Sequence, residues 1–185
     1  MMFRNYLVIT KTYIVMSNKA LIVVDMQNDF VTGSLTNPAA LKTIPFIKSE
    51  IESGNYSKII FTKDTHFENY LDTQEGKNLP VKHCIHKTEG WEIVDELKPY
   101  SNDSNTLLKD TFGYVGWVLE LEDCDEAVFV GTCTDICVVS NVLMVKSVFP
   151  ELKVTVLANG CSGTTLIRHN AALEVMKSCQ VNVVE

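Results

Sequence analysis

The sequence predicts an α/β fold in which three layers, helix, sheet and helix, surround a six-stranded and mostly parallel sheet. Short apolar, β-branched runs alternate along the chain with stretches whose apolar residues recur at helical spacing. The chain has 185 residues, of which 46% are hydrophobic, and it contains no internal repeat. This composition suits one domain with a large core, joined by right-handed crossovers.

The first predicted strand covers residues 20–24, a uniformly apolar run typical of a strand buried on both faces of a sheet. A helix follows at residues 39–52, because apolar residues recur there at three and four spacing. Pro45 lies inside this helix, and we expect it to kink the helix axis. Residues 58–62 form the second predicted strand.

The second half of the chain continues the same alternation. The pattern predicts a short helix at residues 91–97, a strand at 106–108, a helix after Gly113 and a strand at 128–130. The remaining predicted elements are a helix ending near Phe149 before Pro150, a strand at 153–157, a turn at 158–163, a helix at 166–178 and a closing strand at 181–184.

One stretch, VFVGTCTDICVV at residues 128–139, joins a buried strand to a helix and carries two cysteines. Thr134 or Asp135 can cap that helix, which puts Cys137 in its first turn. Unpaired amides and the positive end of the helix dipole favour a thiolate at this position, and the thiolate is the nucleophile. Alternatively, Cys133 and Cys137 are small buried hydrophobic residues.

Four reactive side chains fall at or just past the ends of predicted strands. They are Asp25, Asp64, Lys109 and Cys137. Open α/β sheets bind their ligands at the carboxyl ends of the strands, so the sequence predicts that these four side chains meet. Lys109 would then be a cation that lowers the pKa of the thiol.

Asp64 and His66 are two residues apart at the end of the second strand, a spacing that puts both side chains on one side of extended backbone. The irregular segment that follows, residues 67–88, is long for a compact domain. Nitrogen and oxygen donors suit zinc, manganese or iron. A solvated loop without a metal is the alternative. Further candidate ligands in this segment are Glu75, His83 and His86.

Charge and cysteine content exclude several classes of protein. The net charge of -7 comes from interspersed acids and bases without a basic patch, which argues against a nucleic-acid partner. Six irregularly spaced cysteines in a chain with a sufficient core suggest reduced thiols, and we expect a cytoplasmic protein. We also expect a homo-oligomer, since α/β domains of this size often associate.

Residues 1–17 form a leader or a loose N-terminal arm, and residues 18–185 form the predicted domain. The leader contains an apolar stretch, but Lys11 and Thr12 interrupt it and no small-residue cleavage site follows. It is too short to span a bilayer, so we expect no membrane association.

Five blocks in this chain resemble the isochorismatase-like cysteine hydrolases and, within them, the nicotinamidase and pyrazinamidase branch. The resemblance extends from about Asn18 to the C-terminus. The blocks are ALIVVDMQNDF at residues 20–30, TKDTH at 62–66, LPVKHCIHKTEG at 79–90, LLKDTFGYV at 107–115 and VGTCTDICV at 130–138.

The resemblance implies a Rossmann-like sheet with strand order 3-2-1-4-5-6 and a catalytic triad of Asp25, Lys109 and Cys137. It also implies a cis peptide between Thr132 and Cys133, and an oxyanion hole formed by the backbone amides of Cys133 and Cys137. The metal ligands that it implies are Asp64, His66 and His83, with Glu75 as an additional carboxylate.

The activity implied by the resemblance is metal-assisted hydrolysis of a small carboxamide through a thioester, with nicotinamide to nicotinate as the first candidate. There are two alternatives. The protein could be another isochorismatase-like hydrolase with a different substrate, or a noncatalytic module that binds a metal or a small ligand. The chain departs from the branch at Leu79, where an aromatic residue is usual, and at Lys87, where glycine is usual. Phe30 offers a ring on the other side of the substrate.

Overall fold

The computed structural model describes residues 18–185, and the predicted leader at residues 1–17 lies outside this range. Six strands form one sheet in the order β3-β2-β1-β4-β5-β6, and every neighbouring pair is parallel. The predicted fold and strand order are therefore confirmed. Within residues 18–185, no helix combines the length and the apolar character that crossing a membrane requires.

The strands and helices alternate along the chain, with two short helices, Asn28–Val31 and Gln74–Asn78, that the sequence does not predict. The strands are β1 (Lys19–Val24), β2 (Lys58–Asp64), β3 (Thr106–Lys109), β4 (Glu126–Thr132), β5 (Lys153–Ser162) and β6 (Asn182–Val184). The helices are α1 (Asn28–Val31), α2 (Pro38–Glu52), α3 (Gln74–Asn78), α4 (Trp117–Leu121), α5 (Val139–Val148) and α6 (Leu166–Ser178).

Two apolar clusters cover the two faces of the sheet. On one face, Trp117, Val142 and Met176 pack from α4, α5 and α6 against buried residues of the central strands. On the other face, α2 contributes Ile44 and Ile47. Strands β1 and β4 are buried along almost their whole length between these clusters, which explains their uniformly apolar sequences.

The prediction of a helix at residues 91–97 is wrong. This region forms turns, with short 3₁₀ helices at Glu89–Trp91 and Lys98–Tyr100. Its backbone pairs with the loop after β1 instead: the Val94 amide donates to the Met26 carbonyl at 3.0 Å, and Ile93 forms a bridge with Gln27. The apolar spacing reflects packing of this segment on the loop, because Ile93 and Val94 are buried.

The prediction of a turn at residues 158–163 is also wrong, because β5 continues to Ser162. Strand β4 is longer than predicted and supplies partners for this extension, with Gly131 opposite Cys161 and Thr132 opposite Ser162 after a register shift.

The start of the cysteine helix differs from the prediction. One turn of π-helix, Thr134–Val138, precedes α5, and Cys133 occupies the N-cap position without a side-chain hydrogen bond to the helix amides. Asp135 does not cap the helix. Its two carboxylate oxygens accept from the amide and the hydroxyl of Thr164, at 2.7 and 2.6 Å, and so tie the turn to the end of β5.

Candidate active site

The carboxyl ends of three strands bring the predicted triad together. Asp25 follows β1 and has a positive φ of 49°, a backbone region that few non-glycine residues adopt. Lys109 is the last residue of β3, and Cys137 lies in the π-helical turn after β4. All three side chains are buried, with relative exposures of 0%, 4% and 5% in chain order.

The ammonium group of Lys109 is the centre of the site. Its Nζ lies 2.7 Å from Asp25 Oδ2, 3.1 Å from Asp64 Oδ1 and 3.7 Å from Cys137 Sγ. It also donates to the Thr111 carbonyl at 3.1 Å. A second hydrogen bond, from Thr62 Oγ1 to Asp25 Oδ1 at 2.6 Å, fixes the other oxygen of that carboxylate. The triad is thus held in one orientation.

Burial dominates the protonation of the nucleophile. It raises the pKa of the Cys137 thiol well above its ordinary value, and the Lys109 charge offsets only part of this. Burial thus favours the thiol form of Cys137 in the free protein, and the thiolate expected at the helix start stays a prediction. Burial also raises the pKa of Asp25, again against the effect of Lys109.

Lys109 itself stays charged. Burial disfavours the ammonium form, but the charges of Asp25, Cys137 and Asp64 raise the pKa of Lys109 well above its ordinary value. A charged lysine that contacts both Asp25 and Cys137 can stabilise negative charge on either of these two side chains. The triad can therefore move a proton between Cys137 and Asp25 around a fixed cation.

Four side chains form a second cluster next to the triad. Their ligand atoms all lie within 4.8 Å of one another, and the members are Asp64, His66, Glu75 and His83. Asp64 Oδ2 is 3.0 Å from His66 Nε2 and 3.6 Å from His83 Nε2, and Glu75 Oε1 is 3.7 and 3.6 Å from the same two nitrogens. Two imidazoles and two carboxylates can hold a divalent metal ion.

The structure separates the two candidate histidines of the irregular segment. His83 belongs to the cluster, and its Nδ1 lies 2.9 Å from the Val81 carbonyl, which orients the ring. His86 does not belong to it. Its ring packs edge-on against Trp91 at 4.9 Å and against Phe67 at 5.6 Å. His86 is therefore a packing residue.

The electrostatics of the cluster depend on Asp64. Burial alone would raise the pKa of this carboxyl, but hydrogen bonds with His66 and His83 and the charge of Lys109 hold it well below its usual range. Asp64 is thus ionised, with one oxygen on Lys109 and the other on the histidines.

Two polar residues near the start of the chain support the cluster, and the sequence analysis did not assign them a role. Gln27 is fully buried, and its side chain bonds both backbone groups of Asp64, at 2.8 and 2.9 Å. Asp29 Oδ2 accepts from the Cys84 amide at 2.8 Å, next to His83. Both lie in the QND part of the ALIVVDMQNDF block, which was the available signal.

Cys137 of the triad and three members of the cluster, Asp64, Glu75 and His83, line a cavity of about 400 Å³. Phe30 and Leu79 line it, as predicted for substrate contacts, and the Phe30 ring lies 5.5 Å from that of His83. The sequence analysis missed other lining residues, because nothing in their spacing distinguishes them from surface positions. These are Leu35, Thr36, Asn37, Pro38, Phe112, Ile136, Thr164 and Arg168.

The backbone before the nucleophile has the cis peptide that the resemblance implies, between Thr132 and Cys133. Cys133 lines the cavity together with Cys137. Among the described residues, no backbone or side-chain acceptor takes the Cys133 amide, so this group is available to a ligand. The oxyanion hole remains a prediction that this arrangement permits.

A sequence model of the isochorismatase domain matches residues 19–185. The chain belongs to the isochorismatase family. It is 22% identical over 205 residues to a nicotinamidase of Schizosaccharomyces pombe, a comparison covering 89% of this chain and 92% of that protein.

Solved structures of family members superpose on the whole described fold. The nicotinamidase/pyrazinamidase of Bacillus subtilis is 27% identical, with a TM-score of 0.74 over 91% of this chain and 100% of that one. The pyrazinamidase of Pyrococcus horikoshii, solved in complex with zinc, is 26% identical, with a TM-score of 0.73 over 91% and 99% of the two chains.

Proposed function

We propose that this isochorismatase-family hydrolase is a metal-assisted cysteine amidase that converts nicotinamide, or a closely related carboxamide, to the carboxylate and ammonia. Hydrolysis of a carbon–nitrogen amide bond follows from the family and from its nicotinamidase relatives. The observation that carries the proposed residue roles is the position of Lys109 Nζ, in contact with Asp25, with Asp64 and with Cys137, of which the last two line the cavity.

The proposed first step is attack of Cys137 Sγ on the amide carbonyl carbon. The thiol is the resting form, so its proton must leave as the bond forms, and Asp25 is the base in position to take it. Lys109 stays protonated and stabilises the negative charge that passes from the carboxylate to the sulfur. The raised pKa of Asp25 suits this residue to hold the proton.

The tetrahedral intermediate carries its negative charge on the former carbonyl oxygen. The backbone amides of Cys133 and Cys137 are the proposed donors to that oxygen, and losing one such donor typically costs about 3 kcal/mol of transition-state stabilisation. Asp25 then returns its proton to the amide nitrogen as the carbon–nitrogen bond breaks. Ammonia leaves, and an acyl thioester on Cys137 remains.

Water completes the reaction. Asp25, again a carboxylate, takes a proton from a water molecule as the oxygen attacks the thioester carbon. The carbon–sulfur bond breaks, the proton passes to the sulfur, and the free acid and the Cys137 thiol are restored. One carboxylate therefore acts twice, and no residue changes its charge over the cycle.

The ligands proposed for the metal are Asp64, His66, Glu75 and His83, a donor set in which zinc is the first ion to test. When bound, the ion would supply a Lewis acid that can hold and orient a heteroaromatic nitrogen of the substrate. The ion would balance the negative charge of the ionised Asp64 carboxylate.

The lining of the cavity supports an aromatic carboxamide without selecting nicotinamide alone. Phe30 offers the face of a ring near the histidines, but Leu79 stands where the branch usually has an aromatic residue. Leu79 is 38% exposed, so it can form an apolar wall on the open side of the cavity. Substrate tests should therefore include pyridine and non-pyridine carboxamides.

Ammonia release from nicotinamide, pyrazinamide, benzamide and aliphatic amides, with zinc, manganese or iron added, tests the proposal. Release should occur with at least one aromatic amide and should fall below detection in Cys137→Ala and Lys109→Ala. Cys133→Ala is the matched control, because it keeps the backbone amide and removes only a thiol at the same cavity. Release that survives in Cys137→Ala, or none from any amide, contradicts the proposal.

A further inference from the structure

The cavity extends across the sheet beyond the proposed reaction centre. Both Asp64, the last residue of β2, and Arg168, in the helix α6 that follows β5, line it. These strands are separated by β1 and β4, so three strand spacings, about 14 Å, lie between them. A cavity of about 400 Å³ falls in the range of pockets for ligands larger than one pyridine ring.

The two sides of this cavity carry opposite charge. Asp64 and Glu75 lie on the β2 side, next to the buried Asp25. Arg168, in the first turn of α6, is the one Lys or Arg side chain among the described residues that line the cavity. Arg168 would attract an anionic group of a ligand to the second side of the cavity.

The guanidinium of Arg168 has donors to spare. Its described hydrogen bond runs from Nη1 to Thr164 Oγ1 at 3.3 Å, and within residues 18–185 it has no carboxylate at ion-pair distance. Asp135 is the nearby acid, but both its oxygens accept from Thr164. A guanidinium carries five N–H donors in a planar fork that matches a carboxylate.

We propose that Arg168 forms an anion subsite, and that the physiological substrate is an amide with a carboxylate distant from its carboxamide. This proposal rests on the proposed amidase function and narrows its substrate class. In the bound substrate the carboxamide lies over Cys137, and the carboxylate pairs with Arg168 on the β5 side. Leu79 on the β2 side is consistent with a substrate not held by aromatic stacking alone.

Arg168 is exposed at the edge of the cavity, so solvent and salt screen its charge. The expected selectivity is therefore moderate. We expect kcat/KM for a carboxylate-bearing amide to exceed that for its neutral counterpart by about tenfold at low salt. This preference should shrink as the salt concentration rises.

The catalytic test compares nicotinamides that carry either a carboxylate or a methyl group at ring position 5 or 6. In Arg168→Gln, the carboxylate-to-methyl ratio of kcat/KM should fall about tenfold, mainly through KM, and Arg168→Lys should recover part of it. Lys177→Gln, on the same helix but outside the cavity, is the control and should keep the wild-type ratio. A ratio that does not change in Arg168→Gln overturns the subsite.

A binding test separates failure of the subsite from failure of the amidase proposal. Calorimetry on metal-loaded Cys137→Ala should show pyridine-3,5-dicarboxylate binding tighter than nicotinate, and Arg168→Gln in that background should remove the difference. If this pattern appears while no amide is hydrolysed, the subsite stands and the amidase proposal falls. If nicotinamide is hydrolysed but Arg168→Gln leaves dicarboxylate affinity unchanged, the amidase stands and the subsite is overturned.

Discussion

The triad and the metal-ligand cluster occupy adjoining parts of one site, but the chain builds them differently. Asp25 and Lys109 stand at or directly after strand ends, where neighbouring backbone fixes them. The cluster takes only Asp64 from a strand: His66 follows β2 by two residues, and Glu75 and His83 come from the long segment between β2 and β3. Strands therefore position the groups that move protons, and a long segment positions the groups that hold an ion.

One carboxylate joins the two regions. Asp64 places Oδ1 3.1 Å from Lys109 Nζ and Oδ2 3.0 Å from His66 Nε2. Its backbone is held on both sides by the buried Gln27 side chain. If the two regions are coupled, a substitution in one of them should affect the other through Asp64.

Replacing Lys109 should have the largest effect on both the triad and the cluster, because it removes the cation that contacts both regions. In Lys109→Met, the buried carboxylates of Asp25 and Asp64 lose their shared partner, and we expect a loss of about 3–5 kcal/mol of unfolding free energy. Amide hydrolysis should fall about a thousandfold or more. Urea denaturation and ammonia release measure the two effects.

The control for this change is Lys177→Met, which removes an exposed pair with Glu174 and should leave the free energy of unfolding nearly unchanged. If Lys109→Met is as stable as Lys177→Met, the buried network does not hold the site together. Activity within tenfold of the wild type would count against the proposed role of Lys109.

Removing the metal should have the next largest effect on stability, because two of its proposed ligands come from the long segment between β2 and β3. With free zinc at a hundred times its Kd, the metal should stabilise the protein by about 2.7 kcal/mol, and a chelator should reverse this. His83→Ala should abolish both the stabilisation and stoichiometric zinc, since His83 is a cluster member. Thermal denaturation and metal analysis are the measurements.

His86→Ala is the matched control, because His86 comes from the same segment but packs against Trp91 outside the cluster. It should bind zinc as the wild type does. Equal loss of zinc in both variants would mean that the segment, rather than the four ligands, determines binding.

The smallest expected effect concerns backbone strain. Asp25 and Lys87 both have positive φ, 49° and 66°, but only Asp25 is a proposed catalytic residue. Lys87→Gly should relieve the conformation at an exposed position and stabilise the protein by about 0.5 kcal/mol, after the entropy that glycine adds to the unfolded chain. Lys42→Gly, in the exposed middle of α2, should instead cost about 1 kcal/mol. Destabilisation by Lys87→Gly would mean that the Lys87 side chain matters.

The sequence predicts the strand-borne part of the molecule well. Strands β1 and β4 are uniformly apolar because helices cover both faces of the sheet, and each leads to a residue of the site. The choice between His83 and His86 was open from spacing alone, since both follow the same strand and only the fold of the segment separates them.

Other features depend on contacts distant in sequence. Residues 91–97 have helical spacing, but the loop after β1 takes their backbone hydrogen bonds. The extension of β5 exists because β4 provides partners for it. Arg168 reaches the cavity because α6 begins at its edge, and no local signal marks this residue.

The central claim is that Cys137 forms a covalent acyl intermediate with the amide substrate. Rapid quenching during turnover of nicotinamide, followed by peptide mass spectrometry, tests it directly. The account predicts an adduct of nicotinamide minus ammonia on Cys137, present in Cys133→Ala and absent in Cys137→Ala. Undiminished turnover in Cys137→Ala, or an adduct located only on Cys133, would contradict it.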